Sequence, residues 1–391
     1  MTELQPKPPS VIPVVLAGFC AFLTLFAPQP ILPMLADVFH ASKVMISLTV
    51  TASTLGVALA APVMGQIADR VGRKRVIVLS VMTLGVATLL TATSANLWML
   101  LLWRFVQGVA TPGVFSVTTA YVHDEWPVAS ASSAISSYVS GTIVGGFSGR
   151  FLAGLTAEHF GWRWAFVLLG CIGLAIGVYV ALSLPAGRRF ARPTEMVSLA
   201  AGVGDHLHNR ELIAAYSVGS CVLFSLTAMF TYVTFHLAAP PFLLGAGTLG
   251  SIFVVYLMGA AVTPFAGRIM DRDGHRTMLI RSAAIGAAGA LVSLIPRVWT
   301  VIAGLAICST GVFIAQAAAT SFVGFAAKRN RALALGLYVS FYYGGGSFGS
   351  TAPGWLWQRF GWAGCVALVV LVQAAVGGLA WLMWTPRSVI D

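Results

Sequence analysis

Two arginines stand inside stretches that are otherwise apolar: Arg104, in the run WRFVQG from Trp103 to Gly108, and Arg150, in SGTIVGGFSGRFLAG. Each lies about seven residues from the end of a segment long enough to cross a bilayer, about 10 Å deep at a rise of about 1.5 Å per residue. A cation at that depth carries a high desolvation cost and marks a functional position by default. The twelve acids of the chain offer no counter-charge, because by sequence all of them fall at segment ends, in loops or at the termini. The arginines therefore need a water-filled path, backbone carbonyls or an anion. One expectation is an anion-favouring pathway in which a lipophilic cation is a poor substrate; the alternative is a structural or gating role, for Arg104 the capping of carbonyls at a proline-broken first helix.

Other polar groups fall in apolar segments too. Gln29 sits in FAPQPILP, where Pro28, Pro30 and Pro33 interrupt backbone hydrogen bonding as cavity-lining helices often do. A substrate contact and a plain kink are both open there. Tyr232, His236 and Tyr342 could line a cavity for an amphiphilic solute or pack between helices. No acid occupies a midplane position to carry a proton, so Asp37 and His236 are the substitutes to test. Cys20, Cys171, Cys221, Cys308 and Cys365 lie in apolar segments without paired spacing, so neither a disulfide nor a metal site is expected.

These residues need long apolar elements to hold them. Only 9% of the 391 residues are charged and 58% are hydrophobic, with a mean hydropathy of +0.87, outside the range of ordinary soluble domains. At about 20 apolar residues per span, the chain parses into twelve predicted helices at 11–36, 44–67, 76–94, 97–122, 128–157, 162–184, 211–237, 247–268, 278–296, 298–324, 331–356 and 361–384. The net charge of +11 is read as membrane topology, so nucleic acid is not an expected partner. With the N-terminus inside, only Lys43, Arg163, Arg297 and Arg359 fall in outer loops, which puts both termini in the cytoplasm. The first apolar run is too long for a signal-peptide core and is expected to be retained. The loop 185–210, bracketed by Pro185 and Pro193, reads as a linker, with room for a surface helix, between the halves 1–184 and 211–391.

The halves echo each other. Gly65, Asp69, Arg70 and Gly72 in GQIADRVGRKR recur as Gly267, Asp271, Arg272 and Gly274 in GRIMDRDGHRT, with His275 where the first copy has Arg73. Gly145, Gly149, Gly154, Phe160, Gly161 and Trp162 recur two hundred residues later at Gly345, Gly349, Gly354, Phe360, Gly361 and Trp362. The first pattern resembles the loop between helices two and three of the major facilitator superfamily. The resemblance implies an all-α membrane protein of twelve transmembrane helices in two six-helix pseudo-repeats, with a site near the midplane between them.

By that resemblance Asp69 docks near Arg331 as an inner latch; a solvated basic loop that only orients the helices is the alternative. Arg104 with Gln107 and Gly108 resembles the family's second motif, in which the arginine faces the central cavity and is linked to proton coupling. Gly141, Gly145 and Gly149 form a small-residue face suited to close helix packing. They resemble the third motif of exporters, although Arg150 stands where a proline is usual. Ser148 to Arg150 resembles a subgroup of drug and sugar efflux permeases of bacterial inner membranes. The function implied is secondary active transport of a small organic solute, most simply proton-coupled efflux, with uptake of an organic anion as the rival. A membrane enzyme or receptor is the alternative from another class, and no clustered catalytic set supports it. The expected surroundings are a small-molecule substrate, protons and the lipid bilayer, for a monomer without cofactor.

Overall fold

The computed structural model describes residues 9–185, 187, 199–259, 261–262, 272–327 and 331–384. All regular structure among them is helical: α1 (Ile12–Leu25), a 3-10 turn (Gln29–Ile31), α2 (Leu32–Val38), α3 (Lys43–Val71), α4 (Arg73–Ala92), α5 (Leu97–Glu125), α6 (Val128–Phe160), α7 (Trp162–Ser183), α8 (Leu199–His208), α9 (Arg210–Ala238), α10 (Ala246–Ile252), α11 (255–259), α12 (His275–Val292), α13 (Val298–Ala326), α14 (Arg331–Thr351) and α15 (Pro353–Met383). Eight of these stretches are long and apolar enough to cross a membrane. Side-chain caps set several starts: Ser42 Oγ accepts from the Met45 amide, and Asn96 Oδ1 from that of Met99. Such caps satisfy amide groups that the first helical turn leaves without partners.

The helices sort into two bundles. In the first, α1 packs on α6, α3 on α5, and α4 on both α5 and α7; in the second, α9 packs on α13, α14 and α15, and α12 on α13 and α15. The seam between bundles is made by α3 against α14 and by α6 against α10. Glycine stripes permit the closest approaches. A Cβ on Gly141, Gly145 or Gly149 would strike the backbone oxygens of Val15, Phe19 and Leu23 on α1, and one on Gly345 or Gly349 would strike those of Ser220 and Phe224 on α9. The repeat read in the sequence is thus a repeat in packing. The exposed Leu59, Leu79, Leu182, Phe348 and Leu371 form part of the outward apolar surface that a bilayer requires.

Several bounds differ from those expected. The stretch from Gly65 to Arg75 is not a loop: α3 continues to Val71, α4 starts at Arg73, and Gly72 alone makes the turn at φ +103°. Gly274 does the same ahead of α12 at φ +82°, a region that only glycine enters without strain. Helix five runs to Phe160, not 157. Arg150 therefore lies ten residues from its end, about 15 Å along the helix. Predicted helix eight is broken at Phe253 and Val254, where i to i+3 bonds replace the α pattern. Predicted helix eleven breaks at Ala352, ahead of the amide-lacking Pro353, and reversal is delayed to Gly361. Helix α8 occupies the end of the predicted linker. Gly267 and Asp271 lie outside the described residues.

A Gly149→Val substitution should lower the melting temperature in detergent by overpacking α6 on α1, a loss of about 1–3 kcal/mol. Gly344→Ala, with open space at its Cα, should leave the melting temperature unchanged or raise it slightly.

Candidate functional site

The prolines of the first span and the arginine of the fourth belong to one structure. Pro28 has no amide to offer the carbonyl of Thr24, and Gln29 bonds instead to Phe26 in the 3-10 turn, which leaves the carbonyl of Leu25 without its helical partner. Arg104, on α5, supplies what is missing. Its Nη1 donates to Thr24 O at 2.9 Å and to Gln107 Oε1, its Nη2 to Leu25 O and to Ser53 Oγ at 2.9 Å, and its Nε to Thr49 O at 3.1 Å. Five donors meet five acceptors, which is the full capacity of a guanidinium. Gln107 is held in turn, its Nε2 donating to Thr88 and Thr91 at 3.0 and 3.3 Å. Arg104 is 0% exposed. It sits inside the first bundle and does not face a cavity as the motif resemblance implied.

Arg150 is placed differently. Its Nε donates to Gln29 Oε1 at 2.7 Å and its Nη1 to Gly146 O at 2.6 Å. The cation then lies 4.9 Å from the ring centres of Phe26 and Phe253 and 4.8 Å from that of Tyr256. Phe26 belongs to the first bundle, whereas Phe253, in the break between α10 and α11, and Tyr256, on α11, belong to the second. Gln29 completes the bridge by donating to Thr231 Oγ1 on α9 at 3.3 Å. Among the described residues no acid forms an ion pair with Arg150. A cation held by neutral oxygens and ring faces, two of the three rings from the opposite bundle, can be released by rigid-body movement alone.

Hydroxyls extend the same seam. Thr51 meets Ser350 at 2.7 Å and also Thr351, Thr54 meets Ser347 at 2.9 Å, and Tyr232, which donates to Thr351 O at 3.3 Å within its own bundle, meets Ser47 at 3.5 Å across the seam. Lys43 places its ammonium 4.7 Å from the Trp357 ring centre. These polar contacts between the bundles run from the midplane toward the end that carries Lys43, Glu158 and Trp162. Charge-seeking missed the hydroxyl ladder, though Ser47, Thr51 and Thr54 share one face of α3 at spacings of four and three. His236 stacks on Trp362 at 5.3 Å, and Tyr342 donates to Gln316 Oε1 at 3.1 Å. Asp37 is exposed and lines a cleft of about 350 Å³ with Pro30, Pro33, Met34, Leu244 and Leu249.

At the opposite, basic end the first repeat motif makes ion pairs within its own bundle. Arg73 lies 3.5 Å from Asp69, pairs with Asp124 at the end of α5, and donates to Ala120 O at 2.6 Å. Gly72 lets α4 turn back so that Arg73 can reach all three. Arg331, the expected partner region of Asp69, has no described side chain. In the second copy, Arg272 and Arg281 both pair with Asp273. Hydrogen bonds from Arg272 and then Arg281 hold the Asp273 carboxyl below the usual carboxylate range. That pairing is therefore present at neutral pH and is lost as pH falls through the lowered value. All five cysteines are free thiols.

A many-span helical protein with a row of buried polar groups along the seam between two bundles has the architecture of a membrane carrier. The sequence pattern of the Major Facilitator Superfamily matches residues 14–259 and 229–390. An uncharacterised MFS-type transporter of Bacillus subtilis, YybF, is 32% identical over 91% of this chain and 88% of its own. The inner membrane transport protein YnfM of Escherichia coli is 30% identical over 92% of this chain and 88% of its own. A crystal structure of a bacterial homologue of the human lysosomal transporter Spinster, in an inward-facing and occupied conformation, superposes with a TM-score of 0.78. At 17% identity it covers 96% of this chain and 98% of its own, and the likeness concerns the fold. The chain belongs to the major facilitator superfamily: it is a multi-pass membrane transporter with two six-helix pseudo-repeats.

Arg104→Ala should strip the carbonyls of Thr24 and Leu25 of their donor and destabilise the protein by about 3–5 kcal/mol. Arg104→Lys should recover only part of that loss. Thermal unfolding in detergent reads both.

Proposed function

We propose that this protein carries a small organic anion across a bacterial inner membrane by alternating access. Residues 1–184 and 211–391 are the two moving halves, and 185–210 joins them in the cytoplasm with both termini. The observation that carries the proposal is Arg150. It is a buried cation about 15 Å from the end of its helix, shared by both bundles through Phe253 and Tyr256 and without an acid partner among the described residues. A site so charged attracts carboxylates and repels cationic amphiphiles.

Export is the direction supported by the resemblance of Ser148 to Arg150 to efflux permeases. Proton entry as the driving force rests on the same resemblance, with His236 and Asp37 as the groups to test. Uptake is the second reading, and the anion preference of Arg150 suits it equally. The closed end of the seam, at Lys43 and Glu158, is the external end in this orientation.

Proteoliposomes with an imposed pH gradient test the reading, with labelled organic acids, sugars and a cationic dye offered in parallel. Organic-acid flux should depend on the gradient and fall at least tenfold in Arg150→Gln, while the melting temperature of that variant stays within a few degrees of the parent. Dye transport that Arg150→Gln leaves untouched, without any organic-acid flux, would contradict it.

A further inference from the structure

The guanidinium of Arg150 is not saturated. Its Nε donates to Gln29 and one hydrogen of Nη1 to Gly146 O. Of the five N–H groups of an arginine, that leaves both on Nη2 and one on Nη1 without an acceptor among the described residues. The residue is only 5% exposed, so water satisfies these donors poorly. Arg104 makes the contrast, since its donors are all used inside the first bundle. A buried charged donor without an acceptor is costly, and a carboxylate that takes two parallel N–H bonds removes that cost.

The surroundings of those donors are aromatic. Beyond the three rings that cage the cation, Phe313 of α13 meets Tyr256 nearly edge-on, with ring centres 5.7 Å apart. One turn further along α13, Gln316 accepts from Tyr342 of α14. On the side of the first bundle there is room beside the cation: a Cβ on Gly146 would meet only Arg150 Nη1 at 3.4 Å and Phe22 at 3.9 Å, both ordinary contacts. Phe22 in turn meets Phe115 of α5 edge-on at 6.2 Å. Ring faces are negative and ring edges positive, so an aromatic guest gains from edge-to-face contact beyond the area it buries, and a saturated ring of the same size does not.

We infer that the transported anion is an aromatic monocarboxylate, and that Tyr256 determines the preference for its ring. The inference rests on the anion reading proposed above and narrows it. The carboxylate takes the free N–H groups of Arg150, and the ring lies against Tyr256 and its neighbours. One cation matches one carboxylate; a dicarboxylate would leave its second charge against ring faces, which repel anions. Because Phe253 and Tyr256 belong to the second bundle, the solute's ring touches one half of the carrier while its carboxylate is held by the other.

Three probes test it: benzoate, cyclohexanecarboxylate with the same charge on a saturated ring, and benzamide with the ring but no charge. Dissociation constants are measured at pH 7.5 by ligand-observed NMR on the full-length protein in nanodiscs, with empty nanodiscs as the blank. Benzoate should bind about threefold to tenfold more tightly than cyclohexanecarboxylate, although the saturated ring is the more hydrophobic, and benzamide should not compete. Tyr256→Leu should bring that ratio close to one while cyclohexanecarboxylate still binds, Tyr256→Phe should preserve it, and Arg150→Gln should lose both acids. Equal binding of the two acids, both lost in Arg150→Gln, would overturn the aromatic inference and leave the anion reading standing. So would a ratio that Tyr256→Leu leaves unchanged. Absence of benzoate binding overturns the inference outright, and benzamide that binds as tightly as benzoate, with no loss in Arg150→Gln, would take the anion reading down with it.

Discussion

Inside a bilayer every backbone carbonyl that loses its helical partner must find another within the protein, and the structure depends on how that constraint is met at Pro28. The proline breaks the first span near mid-membrane and leaves Thr24 O and Leu25 O to be satisfied by Arg104 from α5. The break turns Gln29 toward the seam, where it can reach both Arg150 and Thr231. One structural arginine thus holds open the kink that positions the partner of the second.

The two arginines read alike as sequence and differ as chemistry. Arg104 uses every donor within one bundle and is fixed whichever way the bundles lean. Arg150 uses two donors on its own bundle and takes two of its three ring faces from the other. Contacts of this kind, like the hydroxyl pairs between α3 and α14, are individually weak and can exchange with water or a solute. They suit a surface that must separate and re-form in every cycle. The Arg73 pairs with Asp69 and Asp124 tie together elements of one bundle.

Much of the fold was legible because membrane spans announce themselves by length and apolarity, and because the repeat is written twice in glycine. Gly145 and Gly149 meet α1 as Gly345 and Gly349 meet α9. That α3 runs on to Val71 and α4 starts at Arg73 was not legible, since polar residues at a membrane surface look the same in a loop as in a helical extension. The alternative reading of Arg104, as a cap for carbonyls at a proline break, fits the geometry better than the motif resemblance does. Sequence could not choose between them, because that choice depends on which carbonyls lie across the helix. The break at Phe253 and Val254 carries no proline or glycine of its own, and no local signal marks it. Glu158 looks by sequence like any acid at a segment end; its partner is the backbone amide of Gly247 in the other bundle, which no residue pattern records.

The central claim is that Arg104 is a fixture and Arg150 is a moving contact. A structure of the state open at the Lys43 and Glu158 end, trapped by a binder that recognises that face, tests it most directly. Arg104 should keep its bonds to Thr24 O and Leu25 O, while the Arg150 cation parts from the rings of Phe253 and Tyr256 and stays with Gln29. An Arg150 that travels with both rings still around it, or an Arg104 that lets go of α1, would contradict the account.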